Sequence, residues 1–131
     1  FNRASASRRL AAGVVDAETL ECIERAEVAS SIVGGTERDR LQLSLTRAHW
    51  LFLTSQLNAA VERLRPICAD GSVLSRQTEG EANLLLAQAL SARGEELEAL
   101  AHFDLSEQCF IEAGAPDRAA HVRELVTRLR S

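Results

Sequence analysis

The chain has 131 residues, 46% of them hydrophobic and 26% charged, with a formal net charge of −4. This is enough for one domain with a real core and it excludes a disordered chain, while no apolar run approaches the ~18 residues of a membrane span. All fifteen cations are Arg, in short pairs (Arg8–Arg9, Arg38/Arg40, Arg63/Arg65) broken by acids or apolar residues, so the basic stripe that nucleic-acid binding uses is missing.

Ala and Leu dominate, and β-branched residues never alternate with polar ones over a strand's length, so the chain reads as all-α. Cys22, Cys68 and Cys109 are an odd count at wide spacing. They make neither a metal pair nor a disulfide framework, and are expected to be reduced, buried thiols of a cytoplasmic protein. No signal peptide is visible. A chain that begins at Phe1 and contains no Met reads as a piece of a longer protein.

In chain order, residues from about Ala4 to Ala12 predict the end of a helix, closed near Gly13. Asp16 is a good N-cap for a second helix, with Glu18 placed against its positive end. That helix carries Leu20, Ile23 and Ala26 and stops at Gly34–Gly35. Thr36 and Asp39 resemble a capping box for a third helix, about Glu37 to Thr54. Leu41, Leu45, Ala48 and Phe52 make one apolar stripe on it, and Leu43, Trp50, Leu51 and Leu53 a second. Apolarity on more than one side predicts a helix sandwiched between neighbours.

After a Ser55–Gln56 corner, a fourth helix is expected from Asn58 to about Ala69, with Ala60, Val61, Leu64 and Ile67 inward. Pro66 should shorten or bend its last turn. Asp70–Gly71–Ser72 is a break. Ser75 caps a fifth helix to Arg93, with Ala82, Leu85, Leu86, Ala89 and Leu90 as its apolar face. Gly94 turns the chain into a sixth, about Glu95 to Ala113, through Leu97, Leu100, Ala101, Phe103, Leu105 and Phe110. Gly114 ends it, and Pro116 is pre-set for the first turn of a seventh. There Ala119, Val122, Leu125/Val126 and Leu129 share one side, which suits a helix closing a stack. The short connections make neighbours antiparallel.

One echo organises these elements. Ala48, Leu51, Ser55, Ala60 and Leu64 correspond at a shift of 39 residues to Ala87, Leu90, Gly94, Ala99 and Phe103. Each set marks a helix, a small-residue turn and a second helix, and such units stack to bury their apolar faces. The whole of 1–131 then divides into a partial N-terminal hairpin (1–35), a first repeat (36–73), a second repeat (74–114) and a closing helix (115–131).

Leu86, Ala87, Leu90, Gly94, Ala99 and Phe103, and more weakly Ala48, Leu51, Ser55, Leu57, Ala60 and Leu64, resemble tetratricopeptide repeats over about Leu41 to Ser106. The spacing is 39 against that family's usual ~34. Arg47 stands at an apolar position of the first copy, Glu96 replaces an aromatic in the second, and both lack the closing Pro. The tail FIEAGAPDRAAHVRELVTRL is similar to C-terminal helical arrays of bacterial transcription regulators.

The resemblance implies antiparallel hairpins stacked as a short tetratricopeptide-like solenoid of about seven helices, with a concave groove for a protein or peptide partner. By position, Gln42, Leu45, His49 and Phe52 would line it in the first copy, and Glu81, Gln88 and Ser91 in the second. Alternatively, a preceding helix covers Leu45 and Phe52 as core. The basic clamp some family members use for a C-terminal carboxylate is replaced by Leu45, His49 and Gln88, which disfavours that ligand.

No nucleophile elbow, phosphate loop or His–Glu–x–x–His motif is present. Gly34–Gly35 reads as a helix stop. His102 and Cys109 could share a helix face, with His121 on the next helix, but they make no zinc set. No catalytic, metal-binding or cofactor residue is therefore expected. The expected role is a non-enzymatic interaction module in the cytoplasm, touching neither membrane nor nucleic acid. A ligand- or peptide-sensing domain of a bacterial transcription regulator and an oligomerisation segment remain as alternatives.

Overall fold

In a computed structural model, which describes residues 2–69 and 73–131, the chain is all-α, with no strand among the described residues. Its helices are α1 (Asn2–Ala11), α2 (Ala17–Val33), α3 (Glu37–Leu53), α4 (Leu57–Ala69), α5 (Arg76–Ala92), α6 (Glu96–Glu112) and α7 (Pro116–Arg130). The expected break at Asp70–Gly71–Ser72 lies outside the described residues. No helix among them is long and apolar enough to cross a membrane.

Polar side chains start the helices where the sequence places them. Asp16 accepts from the Thr19 backbone N–H at 2.9 Å, and this bond, with the Thr19 hydroxyl behind it, holds the Asp16 carboxyl below its ordinary range. Thr36 and Asp39 form a reciprocal capping box, and Ser75 accepts from the Thr78 N–H at 3.2 Å. Each cap satisfies an N–H that the first helical turn leaves without a partner.

Four helix ends share one backbone motif. Gly13, Ser55, Gly94 and Gly114 have φ of 78°, 64°, 86° and 71°. Each donates to the carbonyl three residues back, and the residue after it to the carbonyl five back, as in Ser55 to Phe52 and Gln56 to Leu51, or Gly94 to Ser91 and Glu95 to Leu90. This Schellman arrangement satisfies the last carbonyls and reverses the chain. Pro66 does not cut α4 short, since the helix continues to Ala69; the carbonyl it leaves without a donor lies on Glu62, an exposed residue.

The chain divides into two compact units, up to Arg63 and from Leu64 onward. In the first, α1, α2 and α3 pack pairwise around Ala6, Leu10 and Ile23, with Cys22, Trp50 and Leu53 against them. Arg9 Nε donates to the buried Thr19 hydroxyl at 2.8 Å. In the second, α5 lies against α6 and α6 against α7. Ser106 Oγ donates to the Gly80 carbonyl at 2.7 Å, and a Cβ at Gly80 would stand only 2.9 Å from the Phe110 ring. The glycine is what lets α5 and α6 approach there.

One expectation needs correction. The sandwich predicted for α3 is only partial: Thr46 and Ala48 are buried, while Leu41, Leu43, Leu45, Trp50, Leu51, Phe52 and Leu53 are half-buried. One of its two packing partners in this unit, α1, is only 10 residues long and cannot cover 17. The apolar residues of α6 fall on more than one side of the helix. Phe103 and Phe110 are buried, Leu100 is half-buried, and Leu97, Ala101 and Leu105 are exposed.

Candidate functional site

Gln42, Leu45, His49 and Phe52 follow one another at helical spacings of three and four, so α3 sets them on a single stripe. All four are half-buried, neither closed off as core nor fully open. The residues beside the stripe tie α3 to its neighbours. Thr46 shares a hydrogen bond of 3.1 Å with Ser7 of α1, and Arg47 pairs with Glu27 of α2 at 3.2 Å. Arg47 therefore works as an ion-pair strut between α3 and α2.

In the second unit α5 carries Glu81, Gln88 and Ser91 on an equivalent stripe, all half-buried. Leu84, which would match Leu45, is 5% exposed and belongs to the core. Glu81 is engaged by Arg118 of α7, whose guanidinium lies over the Phe110 ring, 5.4 Å from its centroid. α5 thus offers Gln88 and Ser91 more freely than Glu81. On both helices, amide or hydroxyl groups mix with apolar ones, a surface that can hold a peptide backbone and accept its side chains. Neither stripe contains a paired acid and base.

A second constellation was not anticipated. Arg63 Nη1 donates to Ser44 Oγ at 3.3 Å across 19 residues. His102 Nδ1 and Asn83 Oδ1 meet at 2.9 Å, also across 19 residues. The second pair is the first moved on by the same 39 residues. Asn83 Nδ2 donates to the Glu79 carbonyl at 3.0 Å, which turns Oδ1 toward the imidazole. An acceptor facing Nδ1 makes Nδ1 the protonated nitrogen of neutral His102 and leaves Nε2 bare. Burial pushes the imidazole below its ordinary 6.5, assisted by Arg65 and opposed by Glu98. The sequence did hold a signal, an Asn directly before the three leucines Leu84–Leu86, in register with Ser44.

The thiols of unit two are held protonated. Cys68 is pushed up to about 12 by burial, with Glu79 adding to it, and burial also raises Cys109. Thiols so placed are poor nucleophiles and poor ligands. His102 faces Asn83 rather than sharing a site with Cys109, and His121 is exposed. Among the described residues no group of three or more His, Cys, Asp or Glu is placed to hold a metal ion.

No protein-family model, no curated protein and no solved structure matches this chain.

Proposed function

We propose that the chain is a non-enzymatic interaction module of tetratricopeptide-like hairpins that docks a peptide or protein segment on the stripe of α3, with α5 carrying a second such stripe in its own unit. One observation carries this reading: the 39-residue echo reaches beyond the sequence to several matched structural features. Ala48 and Ala87, and Ala60 and Ala99, are all 0% exposed. Ser55 and Gly94 share the positive-φ turn, and the Ser44–Arg63 and Asn83–His102 bridges share a register. Repeated hairpins that build a scaffold and leave a mixed stripe half-open are suited to holding a partner. The three cysteines, all unpaired, support work in the reducing cytoplasm.

The test is affinity capture with the full-length protein, wild type against His49→Ala/Phe52→Ala. The variant should keep the wild-type circular dichroism and lose most of the captured partner. A variant that unfolds would show that Phe52 serves the core, and one that captures the partner undiminished would show that the stripe of α3 is not used.

A further inference from the structure

Outside these stripes, the solvent side of α6 is apolar without serving the fold. Leu97 is 88% exposed, Leu105 50% and Ile111 53%, and Ala101 between the leucines is exposed too. Leu97, Ala101 and Leu105 recur every four residues and so make one ridge, turned away from the face of Ala99, Phe103, Ser106 and Phe110 that is buried. Single exposed leucines are ordinary, but several on one helix face are characteristic of a contact surface.

Charge says what could cover it. α6 contains Glu96, Glu98, Asp104, Glu107 and Glu112 and no Lys or Arg. Glu98, Glu107 and Glu112 are engaged by Arg65, Arg123 and Arg76. Asp104, beside Leu105 on the ridge, and Glu96, beside Leu97, form no ion pair among the described residues. A second copy of the chain fits badly. Antiparallel pairing of α6 on itself about Ala101 would set Leu97 on Leu105 but bring no Lys or Arg of α6 to meet Asp104 or Glu96, and a parallel pairing would set Asp104 on Asp104. Like charges opposed in this way count against the pairing.

We propose that the outer face of α6 docks a basic amphipathic helix of a partner protein, its aliphatic residues interlocking with the Leu97–Ala101–Leu105 ridge and its Lys or Arg residues meeting Asp104 and Glu96. Ala101 gives the ridge a low point between two leucines, the relief that lets a helix seat a side chain. The surface is independent of the α3 and α5 stripes, so either could fail alone.

The probe is a fluorescein-labelled helical peptide of Leu, Ala and Lys, about 18 residues long so as to span five turns, titrated by anisotropy. Controls are the same peptide with Lys replaced by Glu, and with Leu replaced by Ser. The Lys peptide should bind and both controls should not. Leu97→Ser/Leu105→Ser should weaken it about tenfold or more, given the apolar burial lost. Asp104→Asn should weaken it less and flatten its salt dependence. His49→Ala/Phe52→Ala should leave it unchanged. The leucines and Asp104 are exposed, so circular dichroism should confirm an intact fold in these variants. The proposal is overturned if the Lys peptide fails to bind, if the serine variant binds it as tightly as wild type, or if the Glu peptide binds equally. Sedimentation showing a dimer that the serine variant dissolves would overturn it too, in favour of a second copy.

Discussion

The α3–α4 and α5–α6 hairpins share a register yet are covered very differently. α3 and α5 are both 17 residues long, but α3 buries only Thr46 and Ala48 while α5 buries nine residues from Gly80 to Leu90. Part of the difference is composition, since α5 has Leu85 and Leu86 where α3 has Thr46 and Arg47, yet the bulkiest apolar side chains are on α3. At matching positions α3 has Leu41, Trp50 and Phe52, where α5 has Gly80, Ala89 and Ser91. In the second hairpin Gly80 lets α6 come close to α5, while the bulky residues of α3 remain half in water. We expect coverage in these hairpins to follow how near the second helix can approach.

The largest effect should come from filling the closest approach. Gly80→Ala places a methyl 2.9 Å from a fully buried Phe110 ring, and urea unfolding should show a loss of about 2 kcal/mol from overpacking. Leu41→Ala at the matching position removes a half-buried side chain and should cost about 1 kcal/mol or less. If the two losses were equal, approach distance would not be what separates the hairpins. Next comes the polar bridge. Asn83→Leu strips the acceptor from His102 and should cost about 1–3 kcal/mol, whereas Ser44→Ala, in an exposed bridge, should stay within about 0.5 kcal/mol.

Much of the scaffold was legible because it rests on local rules. Asp16, Thr36 and Ser75 announced helix starts, Gly13, Gly94 and Gly114 announced stops, and Ala60, Val61, Leu64 and Ile67 had the spacing of an inward face, which they occupy. What the sequence hid depends on the third dimension. The apolar residues of α3 and α6 looked alike in the sequence, and only the neighbours decide that Ala48 is closed off while Leu97 is open. The candidate stripe residues could be placed on α3 and α5 from periodicity, but the engagement of Glu81 by Arg118 joins residues 37 apart. Asn83 and His102 were each visible as a polar residue among apolar ones, and their pairing needed the 39-residue shift to be applied to polar positions as well as apolar ones.

The turns give a smaller and reciprocal test. Ser55 adopts φ 64° where its counterpart Gly94 has φ 86°. A side chain in this left-handed region costs roughly 1–2 kcal/mol, partly offset by the greater freedom glycine has in the unfolded chain. Ser55→Gly should therefore stabilise by about 0.5–1 kcal/mol and Gly94→Ser destabilise by a similar amount. Thermal melts of the two single variants and the exchange double variant check this. A double variant matching wild type would show that the two turns are equivalent despite the unequal packing of the helices they join.

The smallest effect separates the bridges by acidity. Folding depresses the His102 imidazole below its ordinary 6.5, chiefly by burial, so the unfolded chain takes up the proton first as pH falls. The stability contributed by neutral His102 is therefore complete above about pH 6.5, and is lost progressively below it, down through the folded value. Asn83 presents only its oxygen to Nδ1. Nearby, Glu98 favours the charged ring and Arg65 disfavours it, and partial solvent exposure keeps the effect modest. His102→Gln can still donate to Asn83 but does not titrate. Between pH 7.5 and 5.5, wild type should lose more urea midpoint than this variant. Equal losses would place the acid sensitivity elsewhere. At the matching position of the first bridge stands Arg63, bonded to Ser44; the same register thus carries a guanidinium in one copy and an imidazole in the other.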